Sequence, residues 1–243
     1  MKKIILIFNL LIVLNACSAK QTSDVKTNSD VEDLRQRGYT IDLIGDKGSK
    51  TSSHMSSSKD TKILSGDLTK ICKIEKLYSM RFEDSQIPNS FDNEINNCDL
   101  SGLTLFRFFK SSVTPSLLCS FAKIKNFPHL SLMAAGVNDL GLDCLTEMQS
   151  IGVFDLTGAN NTYTDEGFCK FAQSGIKIKT LYMYDANLTQ KGYECLAEIQ
   201  GIETMSFKRW KNFSKQEMSA VKDFYFKKHG KKIVINVFEY DKL

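Results

Sequence analysis

A pattern of apolar residues recurs along this chain at intervals of 24 to 27 residues. Each copy begins with an apolar residue and has further apolar residues three and five positions later. The first residues of the six copies are Leu77, Leu103, Phe127, Ile151, Ile178 and Ile202. A period in this range predicts a solenoid, in which stacked units share one continuous core. Because a solenoid presents one long surface, the repeat favours a binding function over a catalytic one.

The centre of each copy alternates between apolar residues and others, as in segments 80–82 (MRF) and 181–183 (LYM). Alternation with period two places the first and third side chains on one face of a strand and the middle one on the other. We therefore predict six parallel strands. Each has a core-facing side and an outward-facing side.

Residues that can cap a helix follow five of the six predicted strands, whereas Pro88 stands in that place after the strand that begins at Leu77. The side-chain oxygens of the capping residues can accept hydrogen bonds from the free N–H groups of the first helical turn. The predicted N-caps are Thr114, Asn138, Thr164, Thr189 and Ser214. Each unit is therefore a strand, a turn and a helix. A doubly wound sheet is the alternative, but its strand and helix units usually need about 30 residues or more.

Three segments resemble the core motif of leucine-rich repeats of the cysteine-containing type, known from F-box substrate adaptors and ribonuclease-inhibitor-like proteins. They are 137–142 (VNDLGL), 163–168 (YTDEGF) and 188–193 (LTQKGY). The resemblance covers about residues 64–240, and departs from the family where Ser or Ala replaces its usual Cys or Asn. It implies an α/β fold, a right-handed leucine-rich-repeat solenoid (horseshoe) with parallel strands on the concave face and helices on the convex face.

The N-terminus is typical of an export signal. Lys2 and Lys3 precede an apolar run over 4–14. This run is too short to span a bilayer and predicts a signal peptide over residues 1–16.

The tetrapeptide Leu-Asn-Ala-Cys that ends at Cys17 resembles the lipobox of bacterial lipoproteins. The resemblance implies cleavage before Cys17 and lipidation of that residue, with simple secretion as the alternative. We expect a lipidated tether over 17–29 and a lipid-anchored location in the cell envelope, at the outer membrane if the cell has one. An intracellular ubiquitin-ligase adaptor, which the F-box kinship would suggest, conflicts with this signal.

The remaining chain is divided by composition. We predict an N-terminal cap over 30–44, a mobile Ser/Lys-rich loop over 45–62, and a leucine-rich-repeat domain with its C-terminal cap over 63–243. The loop is expected because Met55 is its one apolar residue. The segment therefore buries too little apolar surface to offset the entropy cost of ordering. At the far end, a helix over 214–229 and a strand over 233–238 form the C-terminal cap.

Charge and motif content disfavour several functions. The formal charge of +4 falls to +2 without Lys2 and Lys3, which leaves little field to attract nucleic acid. The three histidines are His54, His129 and His229, and neither a phosphate-binding glycine loop nor a nucleophile elbow is present. We predict no catalysis, no cofactor, no metal, no nucleic-acid partner and no small-molecule substrate.

Six cysteines follow Cys17: Cys72, Cys98, Cys119, Cys144, Cys169 and Cys195. An even number in an exported protein allows disulfides. Packed helices, however, usually lie about 8–10 Å apart, whereas a disulfide needs Cα atoms within about 7 Å. We therefore expect buried structural thiols in preference to disulfides.

The outward-facing strand residues are rich in aromatic, Met and Arg side chains, which are typical of protein contact surfaces. The predicted ligand-binding residues are Arg81, Arg107, Phe109, Met133, Asp155, Tyr182, Tyr184, Lys208 and Trp210. We expect a protein ligand on this face and membrane attachment through the lipid. The alternative is a structural envelope or cell-wall-associated protein.

Overall fold

The computed structural model describes residues 29–44, 52–186, 188–208 and 215–238. The predicted signal peptide, Cys17 and nearly all of the tether lie outside these residues. The described strands are β1 (Thr40–Ile44), β2 (Ser52–Ser57), β3 (Leu77–Glu83), β4 (Leu105–Phe109), β5 (Asn126–Met133), β6 (Ser150–Asp155), β7 (Lys177–Met183), β8 (Thr204–Lys208) and β9 (Val234–Phe238). The α-helices are α1 (Ser29–Gln36), α2 (Asp67–Ile71), α3 (Phe91–Glu94), α4 (Pro115–Phe121), α5 (Asp139–Leu145), α6 (Asp165–Ala172), α7 (Gln190–Glu194) and α8 (Lys215–His229).

The nine strands form one sheet whose spatial order follows the order of the chain. Strand β1 is antiparallel to β2, and every later neighbour is parallel. A doubly wound sheet instead reverses its strand order at a switch point. The architecture is thus α/β, with a mostly parallel sheet alternating with helices, as expected of a solenoid-like fold. Among the described helices, none combines the length and apolarity needed to cross a membrane.

The alternating strand residues form the core, as predicted. Phe82 and Phe108 are almost fully buried and stack with ring centroids 5.4 Å apart, and Phe106 lies 5.4 Å from Phe121 of α4. Burying a large apolar side chain of this kind contributes about 1.5–3 kcal/mol. Since strand and helix residues belong to one buried cluster, the core lies between the sheet and the helices.

Three of the predicted N-caps make the expected bond. Thr114, Asn138 and Thr164 each accept a hydrogen bond from the backbone N–H three residues later. Thr189 precedes α7 but makes no side-chain cap to that helix. Ser214 lies outside the described residues.

The motif carried by segments 137–142, 163–168 and 188–193 links successive helices. Asp139, the first residue of α5, accepts hydrogen bonds from the N–H (2.7 Å) and the hydroxyl (2.8 Å) of Thr164, the N-cap of α6. Asp165 accepts the same two bonds from Thr189. A Cβ on Gly167 would overlap the carboxylate of Asp139, so glycine provides the space for this contact. The motif therefore encodes a bond between neighbouring units as well as a helix start.

A left-handed residue recurs shortly after five successive strands. The residues are Asp84, Lys110, Ala134, Gly158 and Asp185, with φ between 50° and 116°. The N–H groups of the first four donate to a backbone carbonyl of the next unit, for example Lys110 to Met133 at 2.9 Å. A left-handed conformation costs a non-glycine residue about 1–2 kcal/mol. Its recurrence indicates a structural turn of the repeat.

The predicted N-terminal cap is present as α1 and β1. Gly38 ends the helix with φ of 93°, as expected of a glycine stop. Asp67 of α2 is 1% exposed and accepts hydrogen bonds from Arg37 (2.6 Å), Tyr39 (2.9 Å) and the Leu64 N–H (2.8 Å). Burial and the nearby Asp67 carboxylate raise the pKa of Tyr39. This buried ion pair attaches the cap to the first unit.

The prediction of a mobile loop over 45–62 is wrong where the structure describes it. Residues 45–51 lie outside the described residues, but strand β2 occupies Ser52–Ser57 and pairs with β3. Met55 is fully buried, and its small neighbours Ser53 and Ser57 also face inwards. The Ser53 hydroxyl donates to the Glu75 carbonyl at 2.7 Å, so serines satisfy this end of the core with hydrogen bonds.

The prediction of free structural thiols is also wrong. The disulfides are Cys72–Cys98, Cys119–Cys144 and Cys169–Cys195. Their Cα atoms are 4.6–5.3 Å apart, close to the spacing of about 4.8 Å between strands. The general distance between packed helices does not apply here, because these short elements follow the spacing of the sheet.

The C-terminal cap is present as α8 and β9. Tyr225 is fully buried, and its hydroxyl accepts from the Ile202 N–H at 2.8 Å. His229 Nε2 lies 2.9 Å from the Ala197 carbonyl in the short 3-10 helix Cys195–Glu198. His229 therefore contacts a carbonyl of the preceding unit. Gly230 ends α8 with φ of 64°.

Candidate functional site

The sheet register places most of the predicted ligand-binding residues on one face. We call this the polar face: the sheet surface formed by the strand side chains that alternate with the core residues. Its central row consists of paired residues on β3 to β8, namely Arg81, Arg107, Ser131, Asp155, Tyr182 and Ser206. Neighbours in this row are separated by the strand spacing of about 4.8 Å.

Arg81 and Arg107 are paired across β3 and β4. Among the described residues, no carboxylate oxygen lies within 4.0 Å of either guanidinium. The Nε atom of each is buried and makes no hydrogen bond within the described part of the chain. Like charges opposite each other on neighbouring strands repel, so the fold itself gains nothing evident from this pair.

Phe109 and Met133 hold the guanidinium of Arg107 in place. The guanidinium carbon lies 5.1 Å from the ring centroid of Phe109, and Nη2 lies 4.0 Å from the Met133 sulfur. Lys110 approaches the same ring at 5.2 Å. The contacts with Phe109 and Met133 orient Arg107 without neutralising it, because neither partner carries a negative charge.

Asp155 is less available to a ligand than predicted. It is only 8% exposed, and its carboxylate accepts from the Ser131 hydroxyl at 3.2 Å and the Thr157 N–H at 2.9 Å. These bonds place Asp155 within the sheet framework. We therefore assign Asp155 a structural role, which is to hold β5 and the turn after β6 in place on the polar face.

His129 belongs to the polar face and was missed as a candidate. It lies two residues before Ser131 on β5, and period-two alternation would have placed it on this face. Burial lowers the pKa of its imidazole, Asp155 acts in the opposite direction, and Arg107 and Arg81 add to the lowering.

Tyr182 and Tyr184 lie at the other end of the face, on β7 and in the turn after it. Their ring centroids are 6.2 Å apart and both side chains are half-buried. Burial raises the pKa of Tyr184, while a hydrogen bond with Ser206 lowers it. The two rings present apolar surface with polar ends, a combination frequent in protein interfaces.

The remaining candidates are only partly described. Lys208 ends β8 and pairs with Phe238, and Trp210 lies outside the described residues. Within the described ranges, no group of three or more His, Cys, Asp or Glu side chains is placed to hold a metal ion. The face therefore consists of a cationic end at β3–β5 and a tyrosine end at β7.

No protein-family model matches this chain, and none of the curated proteins is significantly similar to it.

Proposed function

We propose that this protein is an envelope lipoprotein whose leucine-rich-repeat horseshoe binds a protein partner. The polar face forms the concave surface and the helices form the convex surface. Cys17 carries the lipid that attaches the chain to the membrane. The repeat length, the resemblance of segments 137–142, 163–168 and 188–193 to the leucine-rich-repeat motif, and the parallel sheet in chain order support the architecture.

The observation that carries the binding proposal is the composition of the polar face. Arg81 and Arg107 lack acidic partners among the described residues, and Phe109, Met133, Tyr182 and Tyr184 surround them or extend the surface. Arginine and tyrosine are enriched at the centres of protein interfaces because both combine large contact area with directed hydrogen bonds. A surface built only for solubility would favour paired and exposed charges.

The disulfides support the proposed location. Three disulfides join six cysteines within the described chain. Such bonds persist in oxidising compartments outside the cytoplasm and are rare within it. This agrees with the basic and apolar N-terminus and with the lipobox-like segment before Cys17.

A photo-cross-linking experiment tests the proposal. A photoreactive residue at position 182 should give a discrete protein adduct in intact cells, and a matched probe at Phe224, an exposed residue of α8, should not. Tyr184→Ala should weaken the adduct. Equal adducts from both positions, or no protein adduct together with co-sedimentation of the chain with cell-wall polymer, would favour the structural alternative and contradict protein binding.

A further inference from the structure

The pairing of Arg81 with Arg107 needs a physical explanation. Parallel pairing brings two permanent positive charges to neighbouring strands, with no acidic partner among the described residues. Guanidinium groups stay charged at any physiological pH, so repulsion cannot be relieved by deprotonation. Glu83 is on the same strand as Arg81, but its carboxylate lies more than 4.0 Å from both arginines. Asp155 is occupied by Ser131 and Thr157.

The buried Nε atoms show that the described part of the chain does not satisfy the two arginines internally. The Nε–H groups of both arginines are shielded from solvent and have no acceptor in the described part of the chain. A buried donor without an acceptor costs about 1–3 kcal/mol, and more when it belongs to a charged group. Because the Nε atoms are covered, an oxyanion from a partner would reach the outer Nη groups of these half-buried side chains and neutralise the pair there.

The surroundings orient the arginines for such a ligand. Phe109 covers one side of the Arg107 guanidinium at 5.1 Å, which leaves the edge that carries the N–H groups for an in-plane acceptor. Lys110, whose ammonium approaches the same ring, adds a second basic group nearby. A planar carboxylate matches the guanidinium edge through two parallel hydrogen bonds.

We propose that Arg81 and Arg107 bind a side-chain carboxylate from an acidic segment of the protein partner. This inference rests on the proposed function and specifies the chemistry of the ligand. Phe109 and Met133 contact the apolar residues beside the acidic one. The low overall charge argues against a nucleic-acid backbone, which is usually bound by an extended basic stripe.

A fluorescent deca-glutamate peptide is the probe, with affinity measured by anisotropy on the full chain. We expect Arg81→Gln and Arg107→Gln each to weaken binding about tenfold, and the double variant to abolish it. The corresponding Lys variants retain charge but lose the forked geometry, so they should recover only part of the affinity. Lys222→Gln, which removes an exposed charge on α8, should leave binding unchanged.

Other results would overturn the proposal. Equal affinity of wild type and the double Gln variant would show that the arginines do not bind the acid. Stronger arginine-dependent binding of a single-stranded oligonucleotide than of the peptide would assign the pair to phosphate. Thermal unfolding keeps the test informative, because the peptide should raise Tm of wild type and leave Tm of a folded double variant unchanged.

The same variants separate this inference from the proposed function. If the position-182 adduct survives in the double Gln variant and is lost in Tyr184→Ala, the partner binds without an acidic anchor. That result would reject the arginine site and keep the protein-binding proposal. Loss of the adduct in both variants would support both the arginine site and the protein-binding proposal.

Discussion

Asp139 and Thr164 lie on successive helices, and the Asp139 carboxylate accepts both the N–H and the hydroxyl of Thr164. The pair joins two units that are 25 residues apart in sequence. Since Asp165 and Thr189 repeat the relationship, the motif forms a row of bonds across the helix starts. Stability of one unit therefore depends directly on the next.

Asp139→Ala should lower the free energy of unfolding by about 1–2 kcal/mol, because two charge-assisted hydrogen bonds are lost at a partly exposed site. Urea unfolding measures the change. Asp143→Ala on the same helix is the control. The Asp143 side chain forms an exposed ion pair with Lys170, so its loss should cost less than about 1 kcal/mol. Equal losses would contradict the proposed role of Asp139.

Gly167→Ala should destabilise the protein by about 1–3 kcal/mol, although alanine normally favours a helix over glycine by about 1 kcal/mol. The added Cβ would overlap the carboxylate of Asp139. Gly102→Ala is the control, because its nearest neighbouring atom would be 3.8 Å away. In a double-mutant cycle, Asp139→Ala should remove part of the cost of Gly167→Ala. Strict additivity would argue against this contact.

Replacing both Cys119 and Cys144 by serine should lower the free energy of unfolding by about 3 kcal/mol, the value expected for a closed loop of this length. Peptide mapping without reduction should recover three linked pairs. Alkylation before reduction should label none of the six cysteines. Labelling at any of them in the native protein, without prior reduction, would contradict the assigned pairing.

The unfolding free energy should decrease as the pH falls through the ordinary pKa of histidine, 6.5. The folded protein holds His129 at a lower pKa, so the unfolded chain binds more protons in this range and stability is lost until the pH passes the folded pKa. His129→Gln should remove this part of the slope. Chemical unfolding between pH 8 and about pH 5 measures it, and identical slopes would refute the assignment.

Ala134→Gly should raise the free energy of unfolding by about 1 kcal/mol, because Ala134 has φ of 52° and glycine adopts this conformation without the Cβ clash. Ala172→Gly in α6 should have the opposite sign, since the helix and its packing favour alanine. Thermal unfolding of the two variants compares them. Destabilisation by both would show that the turn carries no such cost.

Strands and helix starts were predictable because their signals are local. Alternating apolar residues such as Phe106 and Phe108 place a strand, and an N-cap such as Asn138 places a helix. Strand β2 was not predicted because Ser53 and Ser57 occupy core positions, where a search for alternating patterns expects apolar residues. Pairing with β1 and β3 and the hydrogen bond of Ser53 to the Glu75 carbonyl compensate for the missing hydrophobicity.

The candidate site was predictable in position but only in part in chemistry. Strand parity placed Arg81, Arg107 and Tyr182 on one face. Parity does not reveal that Asp155 is held by its neighbours. Nor does it reveal that no carboxylate of the described residues lies within 4.0 Å of either arginine, because both facts depend on side-chain geometry. The disulfides were not predicted because the distance between cysteines of neighbouring units follows the strand spacing of the sheet, and not the larger distance usual between packed helices.

The disulfides connect the units two by two, and the steps from Cys98 to Cys119 and from Cys144 to Cys169 carry no disulfide. A force applied to the two ends would pass through each covalent bridge and bypass the residues inside its loop. Stretching could therefore extend only the segments outside the three loops. Under load, the described chain would lengthen between the loops, while each disulfide would hold its own loop at a fixed short length.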